Sequence, residues 1–405
     1  MTRQAPLTRD SHFLSSLRRD LSMTFPFPRR SACKAVLSAA SVCLFGNVAL
    51  AAEPSEYQSP KETNAAIERS ADAGIRYLKN RGQAANGAFS PETGVAVTSL
   101  CVRAILDHRP TEVSSPEVKK AIDFIVSNVR PDGGVYVDGS HYRNYETTVA
   151  VGAMIAANKD GRFDSQLKRA EAFLKQIQWD EGEGIESSDP AYGGAGYGSH
   201  SRPDLSNTSF LVEALRELGN EADDEAIQKA LKFVARTQNL AGQGNDTKHA
   251  DKIGDGGFYY TPAAGGETKV VEPDNGGGLR SYGSMTYAGL KSMIYAGLAS
   301  DDPRVQAAMD FIQKTYSLDE NPGMGQSGLY YYFHTFAKAL DAAKIQVLTD
   351  SKGKDHLWKR ELTATLVKGQ QKDGSWVNGG SDRWMEGNRN LVTAYALMAL
   401  KYCRE

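Results

Sequence analysis

The hexapeptide KAIDFI at Lys120–Ile125 returns as RAEAFL at Arg169–Leu174 and as KALKFV at Lys229–Val234, and AMDFI at Ala308–Ile312 repeats its core. A looser copy is GIRYL at Gly74–Leu78, and Trp358 to Val367 supplies a sixth segment of the same kind. Each places apolar residues at i, i+3 and i+4 with charges between them, the pattern of a helix with one wet face. A unit that recurs around a chain cannot bury its apolar face alone, so the copies must stack on one another.

A Gly-rich loop follows each copy, and after each loop comes a far less charged helical pattern: Val95–Leu106, Tyr145–Ala156, Asn207–Leu218, Ser284–Gly297, Tyr330–Ala342 and Leu391–Tyr402. Five of these carry a Thr followed six residues later by a small residue: Thr98 and Ala104, Thr147 and Ala153, Thr208 and Ala214, Thr286 and Ser292, Thr393 and Ala399. The sixth, around Thr335, fits loosely. Six wet-faced helices alternating with six mostly buried ones predict an all-α fold, an (α/α)6 toroid with the buried set inside and the charged set outside. Every outer-to-inner connection then crosses the same end, so the Gly-rich loops gather on one face around the mouth of the ring. Function is expected there. The connection from Ala241 to Arg280 is longer than packing requires and is a candidate lid.

The chain has 405 residues, 40% hydrophobic and 9% aromatic, enough for a large core. Arg29, Arg30 and Lys34 precede the apolar run Ala35–Ala52, which ends in the small-x-small pattern Ala49-Leu50-Ala51. This predicts a signal peptide over residues 1–51, a short linker over 52–61 and a single toroid over 62–405. The protein is expected to be exported, to the periplasm or beyond, with cleavage near Ala51. A start at Met1 or Met23, and a general secretory or twin-arginine route, both stay open, and a retained membrane anchor is the alternative to cleavage. Removing residues 1–51 takes seven Lys/Arg and two Asp/Glu from totals of 47 and 49, leaving 40 against 47 and a net charge of −7. That balance argues against nucleic acid as a partner. Only Cys101 and Cys403 remain, which excludes a disulfide framework; their offset on neighbouring helices keeps the thiols apart.

The loop Gln370-Gln371-Lys372-Asp373-Gly374-Ser375-Trp376 fits Q-x-x-x-G-x-W, the repeat signature of squalene cyclases, and the K/R-A-x-x-F pattern belongs to the same signature. Asp132–Tyr136 and Asp255–Tyr259 look like relatives of that loop. From about Glu62 to Tyr402 the chain resembles the prenyltransferase and squalene-oxidase repeat proteins of the terpenoid cyclase and protein prenyltransferase toroid superfamily, and within it the C-terminal catalytic domain of squalene cyclases. The resemblance implies a hydrophobic, isoprenoid-like ligand in the central cavity. It also implies an acid motif, D-x-D-D-T-A, at the start of an inner helix. Pro203-Asp204-Leu205-Ser206-Asn207-Thr208-Ser209 matches that register, with the first Asp and the Thr kept, Ser206 at the proton-donating middle Asp and Asn207 at the last. A serine hydroxyl is far too weak an acid to protonate an alkene. Asp204 is therefore either a helix cap or a surviving catalytic acid.

Compared with the prenyltransferases, Phe333-His334-Thr335 resembles the His segment of their zinc site, but Tyr282 and Ser284 stand where Asp and Cys belong. No metal and no cofactor are expected. His334 is a second catalytic candidate, with a hydrogen-bonded core histidine as the alternative. The mouth is rich in rings, among them Tyr197, Phe258, Tyr259, Tyr260 and Tyr330–Phe333, and Tyr282, Tyr287, Tyr332, Phe333, Trp376 and Trp384 are candidate ligand contacts, either lining a cavity or plugging it. Arg202 and Glu386 are charged candidates on the same face. Three readings follow: a toroid holding an isoprenoid-type molecule, with or without cyclase or isomerase chemistry; a non-catalytic binding or scaffold toroid; and a carbohydrate-active (α/α)6 enzyme, for which no clear carboxylate pair emerges. Proximity to a membrane and the oligomeric state stay open.

Overall fold

Short polar residues or prolines start four of the six outer helices. Ser59 accepts a hydrogen bond from the Glu62 N–H with Pro60 at the first helical position, Asp224 caps through the Ala226 N–H, and Asp302 caps through the Arg304 N–H with Pro303 following it. In the computed structural model, which describes residues 57–198, 202–271 and 276–405, the outer set is α1 (Pro60–Tyr77), α3 (Pro116–Ser127), α5 (Asp164–Gln176), α7 (Glu225–Arg236), α9 (Pro303–Thr315) and α11 (Trp358–Gly369). The inner set is α2 (Ala96–His108), α4 (Arg143–Ala157), α6 (Leu205–Glu217), α8 (Gly283–Tyr295), α10 (Leu329–Ala342) and α12 (Arg389–Tyr402). The expected leader, its start and its cleavage point lie outside the described residues, as does linker segment 52–56.

Each inner helix packs on the inner helices before and after it, and α12 packs on α2, so the inner ring closes. The chain is an (α/α)6 toroid. Beyond its helices it pairs one minimal hairpin, Leu348–Thr349 with Asp355–His356, and a few isolated bridges. Among the described residues no helix is long and apolar enough to cross a membrane. Cys101 and Cys403 are both buried and free.

The repeated threonines all perform one task. The hydroxyl of Thr98 accepts from the Phe89 N–H, Thr147 from Val135, Thr208 from Ala195, Thr286 from Phe258 and Thr393 from Trp376, all at 2.9–3.1 Å. Each bond pins a Gly-rich loop to the first turn or two of its inner helix, at the same height in five repeats. On α10 the Thr335 hydroxyl donates to the Tyr331 and Tyr332 carbonyls, and no loop N–H among the described residues donates to it.

The loop glycine completes the unit. Gly193 has φ +83°, and a Cβ there would fall 1.9 Å from the Lys229 carbonyl oxygen on the next outer helix; Gly374, φ +91°, lies the same way over Ala73 on α1. The signature glutamine stitches the same junction, since Gln370 Nε2 donates to the carbonyls of Ser70 and Gly374. Gln83, Gln178 and Gln238 make the equivalent pairs of bonds, each to its loop glycine and to the next outer helix. Because the last loop grips the first helix, the ring is closed by the same contact that builds each repeat.

Candidate functional site

Hydrogen bonds between inner helices that are not neighbours must cross the axis of the ring, and such bonds fill it. Nearest the loop face, Ser206 Oγ on α6 meets the Tyr331 hydroxyl on α10 at 2.9 Å, and the Tyr145 hydroxyl on α4 meets that of Tyr395 on α12 at 3.3 Å. Phe210 sits between them, edge-on to Tyr145 and tilted against Tyr331, while Tyr331 packs on Tyr395. The upper axis is thus an aromatic plug with its hydroxyls paired. Such ring pairs contribute about 0.5–1.5 kcal/mol each beyond their buried area.

Asp204 stands beside this plug and does what a cap does. One carboxylate oxygen accepts the Asn207 N–H at 2.9 Å, the other accepts the Asn207 side-chain amide at 2.8 Å, and the Tyr260 phenol donates to the same group. Burial pushes the Asp204 carboxyl above its ordinary range, against the pull of those three donors. It therefore combines a cap's geometry with the desolvation of a poised acid. Ser206, two residues on, is the side chain of this motif that reaches the axis.

Below the plug the axis turns ionic. Glu213 on α6 receives Lys291 from α8 at 2.5 Å and Lys338 from α10; Lys338 also reaches Glu217 at 3.3 Å, and Glu217 takes Arg103 from α2 at 2.7 Å. Burial alone would raise the Glu213 carboxyl, but the two ammonium groups hold it well below the carboxylate range. His334 lies between plug and network, stacked on Tyr395 at 5.8 Å and 1% exposed, and neither ring nitrogen has a hydrogen-bond partner among the described residues. Burial, which outweighs the attraction of Glu213, takes its pKa down to about 3, so the ring is neutral. Among the described residues no cluster of His, Cys, Asp and Glu is arranged to hold a metal ion.

The connection after α7 folds over the loop face. The Leu205 N–H donates to the Tyr260 carbonyl, Thr261 Oγ1 donates to that of Pro203, and Arg202 ion-pairs with Glu267, which also takes Lys269. Beside this strap a cleft of about 400 Å³ is walled by Val270, Val271, Arg280, Glu320, Met324 and Arg383. Trp384 and Met385 stand exposed at the same face, with the Arg383 guanidinium 4.4 Å over the Trp384 ring.

The remaining sequence candidates distribute themselves elsewhere. Tyr287 and Tyr332 pack with Phe336 and Tyr316 toward Trp358 of the outer ring, and Tyr332 donates to the Ser317 carbonyl. Phe333 packs on Tyr330 and Tyr332. Trp376 donates to the Leu366 carbonyl of α11 and fills the junction between the rings. Tyr282 is the buried residue preceding α8, its N–H bonded to Phe258. Glu386 is engaged as a cap from outside its own helix: it accepts the Tyr331 N–H at 2.8 Å and the Asn378 amide at 2.6 Å. Burial nonetheless raises its carboxyl. Sequence reasoning missed the Glu213, Lys291 and Lys338 network, although a signal was there: Ser206, Phe210 and Glu213 share one helix face, and a charge on that face of an otherwise apolar helix has to be paired.

A family model described as the squalene-hopene cyclase C-terminal domain matches residues 59–261. The squalene–hopene cyclase of Zymomonas mobilis is 27% identical over 168 residues, which are 41% of this chain and 25% of that enzyme, so the match spans a quarter of the relative's length. Among solved structures, the type II terpene cyclase MstE from Scytonema, in complex with its product merosterolic acid A, aligns over 84% of this chain and 98% of its own at 13% identity and a TM-score of 0.50. A family 76 glycoside hydrolase from a bovine Bacteroides thetaiotaomicron strain aligns over 82% and 77% at 13% identity and 0.52. At such identities these two likenesses establish the toroid and nothing finer.

Proposed function

The chain belongs to the squalene-hopene cyclase C-terminal domain family, and on that premise we propose that it is an exported toroid that binds an isoprenoid-type hydrophobic molecule at its loop face without proton-initiated cyclisation. The single observation that carries this reading is Ser206: at the position of the family's proton donor stands a hydroxyl, hydrogen-bonded across the axis to Tyr331. Protonating an alkene needs a strong acid held neutral until it acts, and a serine hydroxyl is neither strong nor poised. Asp204, the one carboxylate left in the motif, accepts three hydrogen bonds that anchor α6 and the strap.

The ligand class is supported by two relatives, a squalene–hopene cyclase and a type II terpene cyclase, and by the apolar side chains the loop face leaves in water. Val271 is 84% exposed, Met385 48% and Trp384 41%. Export rests on the apolar run and small-residue pattern that end at Ala51.

Protein purified from the exported fraction of its native cells, extracted with organic solvent and examined by native mass spectrometry, is expected to yield a co-purifying isoprenoid. Incubation with squalene is expected to return it unchanged. Cyclised product would overturn the non-catalytic half of the proposal, and a bound glycan in place of an isoprenoid would favour the carbohydrate-active reading.

A further inference from the structure

One position departs from the chemistry of the repeat. Ten residues after the loop-pinning threonine, where the inner helix ends, stand Ala157, Leu218, Ala296 and Cys403 in four repeats and His108 in the first. Small or apolar groups therefore satisfy the packing at this place, and an imidazole is not what the fold requires there. His108 is buried where α12 meets α2 and α1, the contact that closes the ring.

The two ring nitrogens hold that seam from opposite sides. Nε2 lies 2.8 Å from the Leu397 carbonyl of α12, and Nδ1 lies 3.0 Å from the guanidinium of Arg404, just past the end of α12. A carbonyl only accepts and a guanidinium only donates, so the proton sits on Nε2 and Nδ1 offers its lone pair. The imidazole is thereby neutral and fixed in one tautomer. The same Arg404 ion-pairs with Glu68 of α1, and Arg109, the residue after His108, reaches Glu68 and Asp72 of α1, both at 2.6 Å.

The charged groups around the ring are thus Asp107 and Arg109 beside it in the chain, Glu68 and Asp72 on α1, and Lys401 and Arg404 at the end of α12, with Lys401 and Arg103 on Asp107 and Lys359 of α11 on the Arg404 carbonyl. Burial first, then the Arg404 and Arg109 guanidiniums, hold the imidazole below the ordinary histidine value of 6.5, against the pull of the Leu397 carbonyl and Asp107. Burial would raise Glu68, but the two arginines hold it below its ordinary 4.5, so it stays charged while an imidazole titrates. A proton added at Nδ1 replaces the lone pair with an N–H that faces the Arg404 N–H groups, and an attraction becomes a repulsion between two cations.

We propose that His108 and Arg404 form an acid-operated latch on the closing seam of the ring: a proton on Nδ1 expels the Arg404 guanidinium and loosens α12 from α1 and α2, while the other inner-helix junctions stay shut. The latch does not depend on which ligand the loop face takes.

The test is hydrogen exchange of the full chain, read by mass spectrometry at about pH 7.5 and about pH 5 and corrected for the intrinsic pH dependence of exchange. With the folded value depressed, the contribution of His108 is complete above 6.5 and is lost as pH falls from there through the folded value, by about tenfold in protection per pH unit. Amides around Leu397 on α12 and around Glu68 on α1 are expected to lose about tenfold in protection at the lower pH, while those of α6 and α8 keep theirs. His108→Gln retains a donor for Leu397 and an acceptor for Arg404 without titrating, so it should hold the protection of the seam level between the two conditions. Should that variant fail to fold, Arg404→Gln removes the cation facing Nδ1, and NMR of labelled histidines should find His108 titrating at higher pH than in the wild type. Seam protection in the wild type that does not fall on acidification, a loss that persists undiminished in His108→Gln, or an unmoved His108 titration in Arg404→Gln would each overturn the latch.

Discussion

Glu213→Gln is the substitution that most directly measures what fills the lower axis. The side chain keeps its shape and one acceptor oxygen, but the Lys291 and Lys338 ammonium groups, 2% and 4% exposed, lose the carboxylate that both of them touch. Lys338 keeps a 3.3 Å contact with Glu217, which is already held by Arg103; Lys291 has no second ion-pair partner among the described residues. Removing one partner from a buried ion pair typically costs about 3–5 kcal/mol, because an uncompensated charge stays behind. An unfolding entropy of about 2.1 cal/mol/K per residue over about 350 residues is roughly 0.7 kcal/mol/K, so the melting temperature should fall by about 4–7 °C. The sign of the pH dependence follows from Glu213 being held low. Its contribution is fully present above the ordinary glutamate value of 4.5 and is lost as pH falls through the folded value, so the gap between wild type and variant should close on acidification. The triple variant Glu213→Leu/Lys291→Met/Lys338→Met should recover most of the loss, since well-packed apolar groups replace a buried ionic cluster at little net cost. Differential scanning calorimetry between about pH 2 and 8 decides the matter. A loss under about 1 °C for Glu213→Gln would mean that the lysines are hydrated, and the picture of a sealed ionic brace would be wrong.

Three further outcomes are expected. Asp204→Asn should cost less than about 0.5 kcal/mol, because Asn caps nearly as well, whereas Asp204→Ala should cost about 1–2 kcal/mol. Since burial raises the Asp204 carboxyl, its contribution is complete below its ordinary value of 3.8 and is lost as pH rises through the folded value, so Asp204→Asn should gain on wild type as pH rises; a difference flat with pH would contradict that assignment. Thr208→Val and Thr393→Val each leave a buried loop N–H unpaired, a penalty of about 1–3 kcal/mol, and should speed hydrogen exchange at Ala195 and Trp376 respectively. Gly193→Ala drives a Cβ into the Lys229 carbonyl and should prevent soluble folding, while Gly219→Ala, at φ +94° with nothing within 4 Å, should cost about 1 kcal/mol; equal yields of the two would refute the close-approach argument.

Local regularities were enough to read the architecture. The outer helices announce themselves through KAIDFI and its copies because one wet face on a helix imposes a 3.6-residue period on consecutive residues. The repeated Thr is equally local: its hydroxyl meets a loop N–H only 9 to 28 residues away, so the same register recurs wherever the same loop does. Gln83-Ala84-Ala85-Asn86-Gly87-Ala88-Phe89 escaped notice because Phe replaces the signature Trp, yet Gln83 bonds as Gln370 does. Asp204 could be placed at a helix start from its neighbours alone. What crosses the axis could not. Ser206 and Tyr331 are 125 residues apart, Glu213 and Lys338 125 as well, Tyr145 and Tyr395 250, and the meeting of each pair is decided by how six helices close into a ring. For the same reason Glu386 looked like a free charge at the mouth and is a cap on a helix it does not belong to, and Tyr287 and Trp376 looked like cavity rings and pack between the two layers. Periodicity tells a helix which face is apolar; only closure of the ring tells that face whether it meets the axis or the outer layer.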